Sequence, residues 1–187
     1  QPLAERAASS ANALGHAVTA IASDRSDPIA AAVARDAVVR IAAAWRDPEP
    51  AAHELAVAAV EAGWALEATG LALHHAVSQE TVRRTGAGHA VANATLLPLT
   101  VGAIRRRRPA LIAALDALIG EPLERAAERL RERAGAAVPE LADSAVRADV
   151  AEAVLRRHAQ LRRIPPPPDA AELDALLAAA ATGGRAA

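Results

Sequence analysis

The sequence contains no cysteine, and this absence removes two classes of structure at once. Disulfide bonds cannot form, and metal centres that depend on thiolate ligands are excluded. Any metal site in this chain must therefore use nitrogen or oxygen ligands.

Aromatic residues are almost absent as well, because the chain has two tryptophans and neither phenylalanine nor tyrosine. Hydrophobic residues still make up 52% of the sequence, and most of them are Ala, Leu and Val. Alanine-rich faces let helix backbones approach closely, and Ala and Leu are strong helix formers. We therefore predict an all-α bundle of about eight or nine helices.

Neither a large net charge nor a long apolar run is present. The chain has 21 basic and 22 acidic residues, and this balance argues against general capture of nucleic acid or of an anionic membrane. The basic run Arg105–Arg108 ends a predicted helix, where cations complement the helix dipole, so a solvated helix end is the simpler interpretation. No uninterrupted apolar run reaches ~18 residues, so no membrane span is predicted.

Methionine is missing too, even at position 1, and the amino terminus lacks the basic start and apolar core of a signal peptide. At 187 residues the chain fits one domain, and we predict that residues 1–187 form a single helical domain. We interpret the sequence as a fragment, a processed piece or an incompletely represented sequence.

Helical periodicity, helix-capping residues and proline or glycine breaks divide the chain into segments. Pro98 is expected to kink the fifth helix or to split it, because a proline inside a helix removes a backbone hydrogen bond. Gly183 and Gly184 are expected to end the last helix. The predicted helices cover approximately residues 2–22, 28–46, 51–68, 70–84, 89–108, 110–119, 122–134, 143–163 and 169–181.

Three of the six histidines fall within sixteen mostly apolar positions, from His74 to His89. Burying an imidazole costs free energy unless it finds a partner, so this stretch indicates either a site or a hydrogen-bonded core network. In the first helix, Asn12 and His16 lie four residues apart and share one face. His75 and His89 could meet that face, and imidazole and amide ligands suit Zn, Fe(II), Ni or Co. The residues alone leave a metal site and a satisfied core as alternatives.

Other chemistries lack their motifs. The serines have no G-x-S-x-G context, and the chain has no glycine-rich loop that could cradle a phosphate. The remaining histidines, His53 and His158, are predicted to lie at the surface.

Three segments together resemble the C-terminal helical domain of the iron-containing (group III) alcohol dehydrogenase family, and most of all its maleylacetate reductase branch. SSANALGHAVTAIAS (9–23) is similar to the helix that opens the family's metal site. GLALHHAV followed by GAGHAVANATLLP (70–77 and 86–98) resembles its two ligand histidines, fourteen positions apart. PPPPDAAELDALLAAAATG (165–183) resembles its closing helix.

The resemblance implies the dehydroquinate synthase-like helical fold and a divalent metal, Fe(II) or Zn, held by Asn12, His16, His75 and His89. Asn12 stands where the alcohol dehydrogenases have Asp, and a neutral amide should bind a divalent ion more weakly. Gln79 stands at the catalytic position where the family usually has another His, and Gln cannot shuttle a proton near neutral pH. His74 would line the substrate pocket.

The resemblance also implies partners. The family's α/β dinucleotide-binding domain is absent from this sequence, so NAD(P) would be bound mainly by a missing domain or by a partner subunit. The expected substrate is a small alcohol or carbonyl compound, the expected location is the cytoplasm, and a homodimer is compatible with the family. The rival interpretation, from a different class of function, is a non-catalytic, stand-alone helical domain that binds a partner.

Overall fold

A computed structural model describes residues 1–182, and within that range the chain is all-helical, with no strand. Ten α-helices and one 3₁₀ helix (Pro139–Ala142) follow one another. The all-α prediction is thus confirmed, although Gly183 and Gly184 lie outside the described residues. The α-helices are α1 (Leu3–Ala22), α2 (Pro28–Ala44), α3 (Ala52–Thr69), α4 (Leu73–Thr85), α5 (His89–Arg107), α6 (Pro109–Ile119), α7 (Leu123–Ala134), α8 (Ser144–Leu155), α9 (His158–Leu161) and α10 (Ala170–Ala181).

Aspartate side chains begin three of these helices. The Asp27 carboxylate accepts hydrogen bonds from the backbone N–H groups of Ile29 and Ala30, at 2.8 and 2.9 Å, and Pro28 occupies the first helical position. Asp143 and Asp169 cap α8 and α10 in the same way. These bonds satisfy amide groups that a helix start leaves without partners.

The structure decides two details of the predicted segments. Of the two outcomes expected at Pro98, a kink or a split, the split does not occur, because the buried flanking turns hold α5 helical despite the missing N–H. The predicted helix over 143–163 is instead two helices, α8 and the short α9, which Arg156 and Arg157 separate. This break raises the helix total above the predicted eight or nine.

Helix α1 lies at the centre of the larger of two apolar clusters. Thirteen of its twenty residues are buried, and most of them are alanine, glycine or serine. Helices α2, α3, α5, α6 and α7 contribute most of the rest of this cluster, and the buried Trp45 follows α2 directly. Small residues on α1 let neighbouring backbones approach it closely from several sides, as the composition predicts.

A second apolar cluster lies between α4, α5, α8 and α10. Its core is made of leucine, valine and alanine, among them Leu96, Val154 and Leu173. Helix α5 therefore stands between the two clusters, since it contributes to both, and α4 begins between them, since Ala72 belongs to the first cluster and Leu73 to the second. The segments that carry His74, His75 and His89 begin at this junction.

The corner between α3 and α4 sets the start of α4. The two helices bend by 101° at Gly70, whose φ of +78° and ψ of 171° form a conformation essentially confined to glycine. The Arg163 guanidinium packs against Gly70 and donates a hydrogen bond to the backbone carbonyl of Leu71. This corner aims the first turn of α4 at α1.

No single helix among residues 1–182 is long and apolar enough to cross a membrane. Helices α3 and α4 reach the required length and hydropathy only when they are taken together across their 101° bend.

Candidate metal and substrate site

Helices α1, α4 and α5 bring the predicted site residues toward one region of the bundle. The imidazole rings of His16 on α1 and His75 on α4 lie 5.0 Å apart between centroids, tilted by 34°. The ring of His74 meets that of His75 edge-on at 5.2 Å. Asn12 stands one turn before His16 on the same helix. We call Asn12, His16, His74, His75 and His89 the histidine cluster.

His89 differs from the other members because it is exposed, at the first position of α5. It is still close enough for its charge to affect the pKa of His16, His74 and His75. His89 thus lies at the open edge of the cluster, while His74 and His75 lie in its interior.

Burial holds the inner imidazoles in their neutral form. It lowers the pKa of His16 to about 4, and repulsion from His89 adds to the effect. Burial also lowers the pKa of His74 to about 3 and that of His75 to about 2, with the neighbouring histidines contributing. At neutral pH these three rings are therefore uncharged, and the neutral imidazole is the form that binds metal ions.

Several buried polar atoms of the cluster have no hydrogen-bond partner among the described residues. They include the Asn12 Oδ1 atom, the His74 Nε2 atom and both ring nitrogens of His75. Buried polar groups are normally paired, and each exception calls for an explanation. A set of neutral imidazole nitrogens and an amide oxygen fits a divalent transition metal, so the chemistry of these donors suits the predicted ion.

The positions of these ligand atoms match a metal site less closely than their chemical types do. Within residues 1–182, no three His, Cys, Asp or Glu side chains are grouped as a bound metal ion requires. The His16 and His75 rings pack against each other, and His89 lies at the exposed edge. The assignment of Asn12, His16, His75 and His89 as ligands stays a prediction.

The two predicted pocket residues have different environments. Gln79 is partly buried, one turn after His75 on α4, so it follows the ligand position along the same side of the helix. His74 is 1% exposed, and its Nδ1 atom lies 2.8 Å from the Thr100 hydroxyl oxygen. Their roles toward substrate remain predictions. The surface prediction for His53 and His158 is confirmed, since both are exposed.

Sequence reasoning missed a buried carboxylate next to the cluster. Glu80 is 3% exposed and accepts hydrogen bonds from Arg83 at 2.8 Å, from Arg157 at 2.7 Å and from Arg84. We call these four residues the Glu80 cluster. Burial alone would raise the pKa of Glu80, but the three guanidinium groups outweigh burial and hold the pKa below its ordinary value. The spacing of Glu80 from Arg83 and Arg84 could have signalled two of these pairs, but nothing in the sequence signals Arg157.

Gly15, Asn93 and Thr100 were also missed. A methyl group on Gly15 would lie 2.7 Å from the His74 ring, and the Asn93 Nδ2 group donates a 2.8 Å hydrogen bond to the His89 carbonyl oxygen. A glycine inside a helix, next to a predicted ligand, was the available signal for the first.

The family assignment comes from a match to the family model for "Fe-containing alcohol dehydrogenase family, C-terminal", which covers residues 6–156. The matched range includes most of the chain and all five residues of the histidine cluster. The chain belongs to the iron-containing alcohol dehydrogenase family.

Solved structures of this family share the fold. The maleylacetate reductase from Agrobacterium tumefaciens is similar over 100% of this chain and 55% of its own, with 27% identity and a TM-score of 0.84. The maleylacetate reductase from Rhizobium sp. strain MTP-10005 is also 27% identical, with the same coverage and a TM-score of 0.82. A 1,3-propanediol oxidoreductase has 25% identity and a TM-score of 0.85, over 96% of this chain and 52% of its own.

A search of curated proteins found no match. The chain spans about half the length of the solved structures that it resembles, 52–55% of the three above. What those enzymes do as whole proteins therefore enters only as a proposal for this chain.

Proposed function

We propose that residues 1–187 are the metal-binding, substrate-side helical domain of an NAD(P)-linked oxidoreductase of the alcohol dehydrogenase or maleylacetate reductase type. One observation carries the proposal. The Asn12 Oδ1 atom and both ring nitrogens of His75 are buried without hydrogen-bond partners, beside the neutral ring of His16, and all of them can ligate a metal. A core made only for stability would pair these atoms or replace them with apolar groups.

In this proposal Asn12, His16, His75 and His89 hold one divalent ion, Fe(II) or Zn. The ion supplies Lewis acidity toward a substrate carbonyl or hydroxyl oxygen, and NAD(P)H supplies the hydride. The rings of His16 and His75 are neutral at physiological pH, so they need not lose protons before they bind the ion. Asn12 contributes a neutral oxygen in place of a carboxylate, which leaves more positive charge on the site than an aspartate would.

Gln79 follows His75 by one turn and is partly buried, so it can contact a substrate bound above the cluster. Its amide can donate and accept hydrogen bonds but cannot release a proton near neutral pH. Gln79 therefore orients the substrate, and the proton needed when a carbonyl is reduced comes from solvent. The NAD(P)-binding part is supplied by another segment of the same protein or by a partner subunit.

The test is reconstitution. The segment of the Agrobacterium tumefaciens maleylacetate reductase that this chain does not cover is fused before Gln1, and NADH and NADPH oxidation is measured with maleylacetate and with small aldehydes. Oxidation that His75→Ala abolishes and His53→Ala preserves is the expected result, because the His53 side chain is 79% exposed and contacts the Glu54 carboxylate. A folded fusion that binds NAD(P)H but reduces none of these compounds would contradict the proposal.

The second candidate is a non-catalytic helical domain that binds a partner protein. It is favoured by the outer face of α3, where Val57, Val60 and Trp64 are 43%, 74% and 51% exposed. Three large apolar side chains exposed on one helix face suit burial against another protein. Fluorescence of Trp64 in a Trp45→Phe variant tests this role. The variant is mixed with the segment of the Agrobacterium tumefaciens enzyme that this chain does not cover. A blue shift of the Trp64 emission, without any oxidation of NADH or NADPH by the mixture, favours the non-catalytic role.

A further inference from the structure

The ring of His74 fills the space between three helices. It is 1% exposed, and its Cδ2–Nε2 edge faces the Cα atom of Gly15 on α1. Its Nδ1 atom lies 2.8 Å from the hydroxyl oxygen of Thr100 on α5, which is fully buried. His74 thus contacts α1 on one side and α5 on the other, while its own backbone belongs to α4.

The Thr100 hydroxyl fixes the ring in one orientation. This hydroxyl has a single hydrogen, and it lies 3.0 Å from the carbonyl oxygens of both Leu96 and Leu97 in the preceding turn of α5. With that hydrogen donated to a carbonyl, the hydroxyl oxygen accepts the N–H of His74 Nδ1. Nε2 is then the unprotonated nitrogen, and it faces Gly15.

The close contact with the His74 ring explains why position 15 is a glycine, since no turn at this position requires one. It lies in the interior of α1, and a Cβ atom there would approach Cδ2 and Nε2 of His74 to 2.7 Å. Real Cβ atoms do not come so close to a ring. The ring is 1% exposed and hydrogen-bonded to Thr100 on its other side, so moving it away from Gly15 would break that bond. A side chain at position 15 would therefore have to push α1 away from α4 and α5.

The neighbours of these two residues are the proposed ligands. His16 follows Gly15 and His75 follows His74, and the two rings lie 5.0 Å apart. A fixed distance between Gly15 and the His74 ring therefore fixes how closely His16 and His75 approach. We propose that Gly15, His74 and Thr100 form a spacer that sets the separation of the two ligand histidines. The proposal rests on the proposed function for the identity of those ligands as metal-binding.

Gly15→Ala tests the spacer in the 187-residue chain, with Co²⁺ as the probe. We expect Co²⁺ affinity to fall by about 10- to 100-fold, the usual cost of disturbing groups behind a metal ligand. The visible absorption of bound Co²⁺ should change as well, because the ligands no longer meet in the same geometry. Gly63→Ala is the matched control: within residues 1–182 no side chain or neighbouring helix lies within 4 Å of a Cβ at Gly63. It should keep the affinity to within about twofold.

A second pair of variants tests the contact between Thr100 and the His74 ring. This pair replaces the glycine variants as the test if Gly15→Ala does not fold. Thr100→Val removes the acceptor while it keeps the shape, and we expect about a tenfold loss of Co²⁺ affinity with an altered spectrum. Thr100→Ser keeps the hydroxyl and should restore both. Circular dichroism shows which variants are folded.

Imidazole nitrogen NMR of the metal-free protein separates failure of the spacer from failure of the metal site. His74 should be protonated at Nδ1 in the wild type and in Thr100→Ser, and this preference should be lost in Thr100→Val. Ring signals of His16 and His75 should move in Gly15→Ala and stay in place in Gly63→Ala. If the wild type binds no Co²⁺ but these NMR shifts occur, the proposed function fails and the spacer stands. If the two glycine variants behave alike in both measurements, the spacer is wrong.

Discussion

The histidine cluster and the Glu80 cluster both include residues of helix α4, but they differ in whether their buried polar groups have hydrogen-bond partners. Glu80 is buried, and three guanidinium groups surround its carboxylate. Five residues earlier on the same helix, His75 is equally buried, yet neither of its ring nitrogens has a partner within the described chain. Full pairing is what stability requires, so the difference separates a structural cluster from one that leaves donors available for a ligand.

Substitution of the buried carboxylate should have the largest effect on stability. Glu80→Gln leaves three arginines without their shared anion, and we expect the free energy of unfolding to fall by about 3 kcal/mol. Glu152→Gln is the control, since its pair with Arg156 is exposed on both sides and should contribute less than about 0.5 kcal/mol. Urea denaturation measures both. Equal, small effects would show that the Glu80 cluster is not structural.

Two sets of groups should make the protein less stable at acid pH. They are the paired carboxylates and the buried histidines, which bind protons below pH 6.5 more readily in the unfolded chain than in the folded one. Hydrogen bonds from Arg107, and then Arg106, lower the pKa of Glu172 from 4.5 to about 2. This pair contributes stability above pH 4.5, which is lost as the pH falls toward 2. We expect a loss of about 1–2 kcal/mol over that window, because Arg106 is 61% exposed and solvent screens the pair. The loss of stability between pH 4.5 and 2 should be smaller by this amount in Glu172→Gln than in the wild type, and an equal loss in the two proteins would contradict the contribution of Glu172.

Replacement of the unpaired imidazole should have a smaller effect of the opposite sign. His75→Leu removes a buried polar group without a partner, so the metal-free protein should gain about 1 kcal/mol. His53→Leu, at a side chain that is 79% exposed, should change stability very little. A loss of stability in His75→Leu comparable to that in Glu80→Gln would contradict the contrast between the two clusters.

Most of the fold could be predicted because local signals carry it. Alanine and leucine content, aspartate caps such as Asp27 and glycine breaks such as Gly70 act within a few residues, and the structure follows them closely. Local features also decide the details of individual helices. Buried packing on both sides carried α5 through Pro98, and a double arginine divided the helix predicted over 143–163.

The site could be predicted only in part, because contacts between distant segments decide it. Spacing within helices indicated that Asn12 and His16 share a face, and the resemblance joined them to His75. No spacing rule brings Thr100 to His74 across 26 positions, or Arg157 to Glu80 across 77. The exposure of His89 also depends on where α5 begins relative to its neighbours, which only the assembled bundle determines.

The most direct test of the central claim is the metal content of the 187-residue chain after it has been equilibrated with Zn²⁺ or, anaerobically, with Fe²⁺ and freed of excess ion. The account predicts one tightly bound ion per chain in the wild type and in His53→Ala, and none in His16→Ala or His75→Ala. A wild type that retains no ion, or four proteins that retain the same amount, would show that the unpaired imidazoles of α1 and α4 are not kept for a metal.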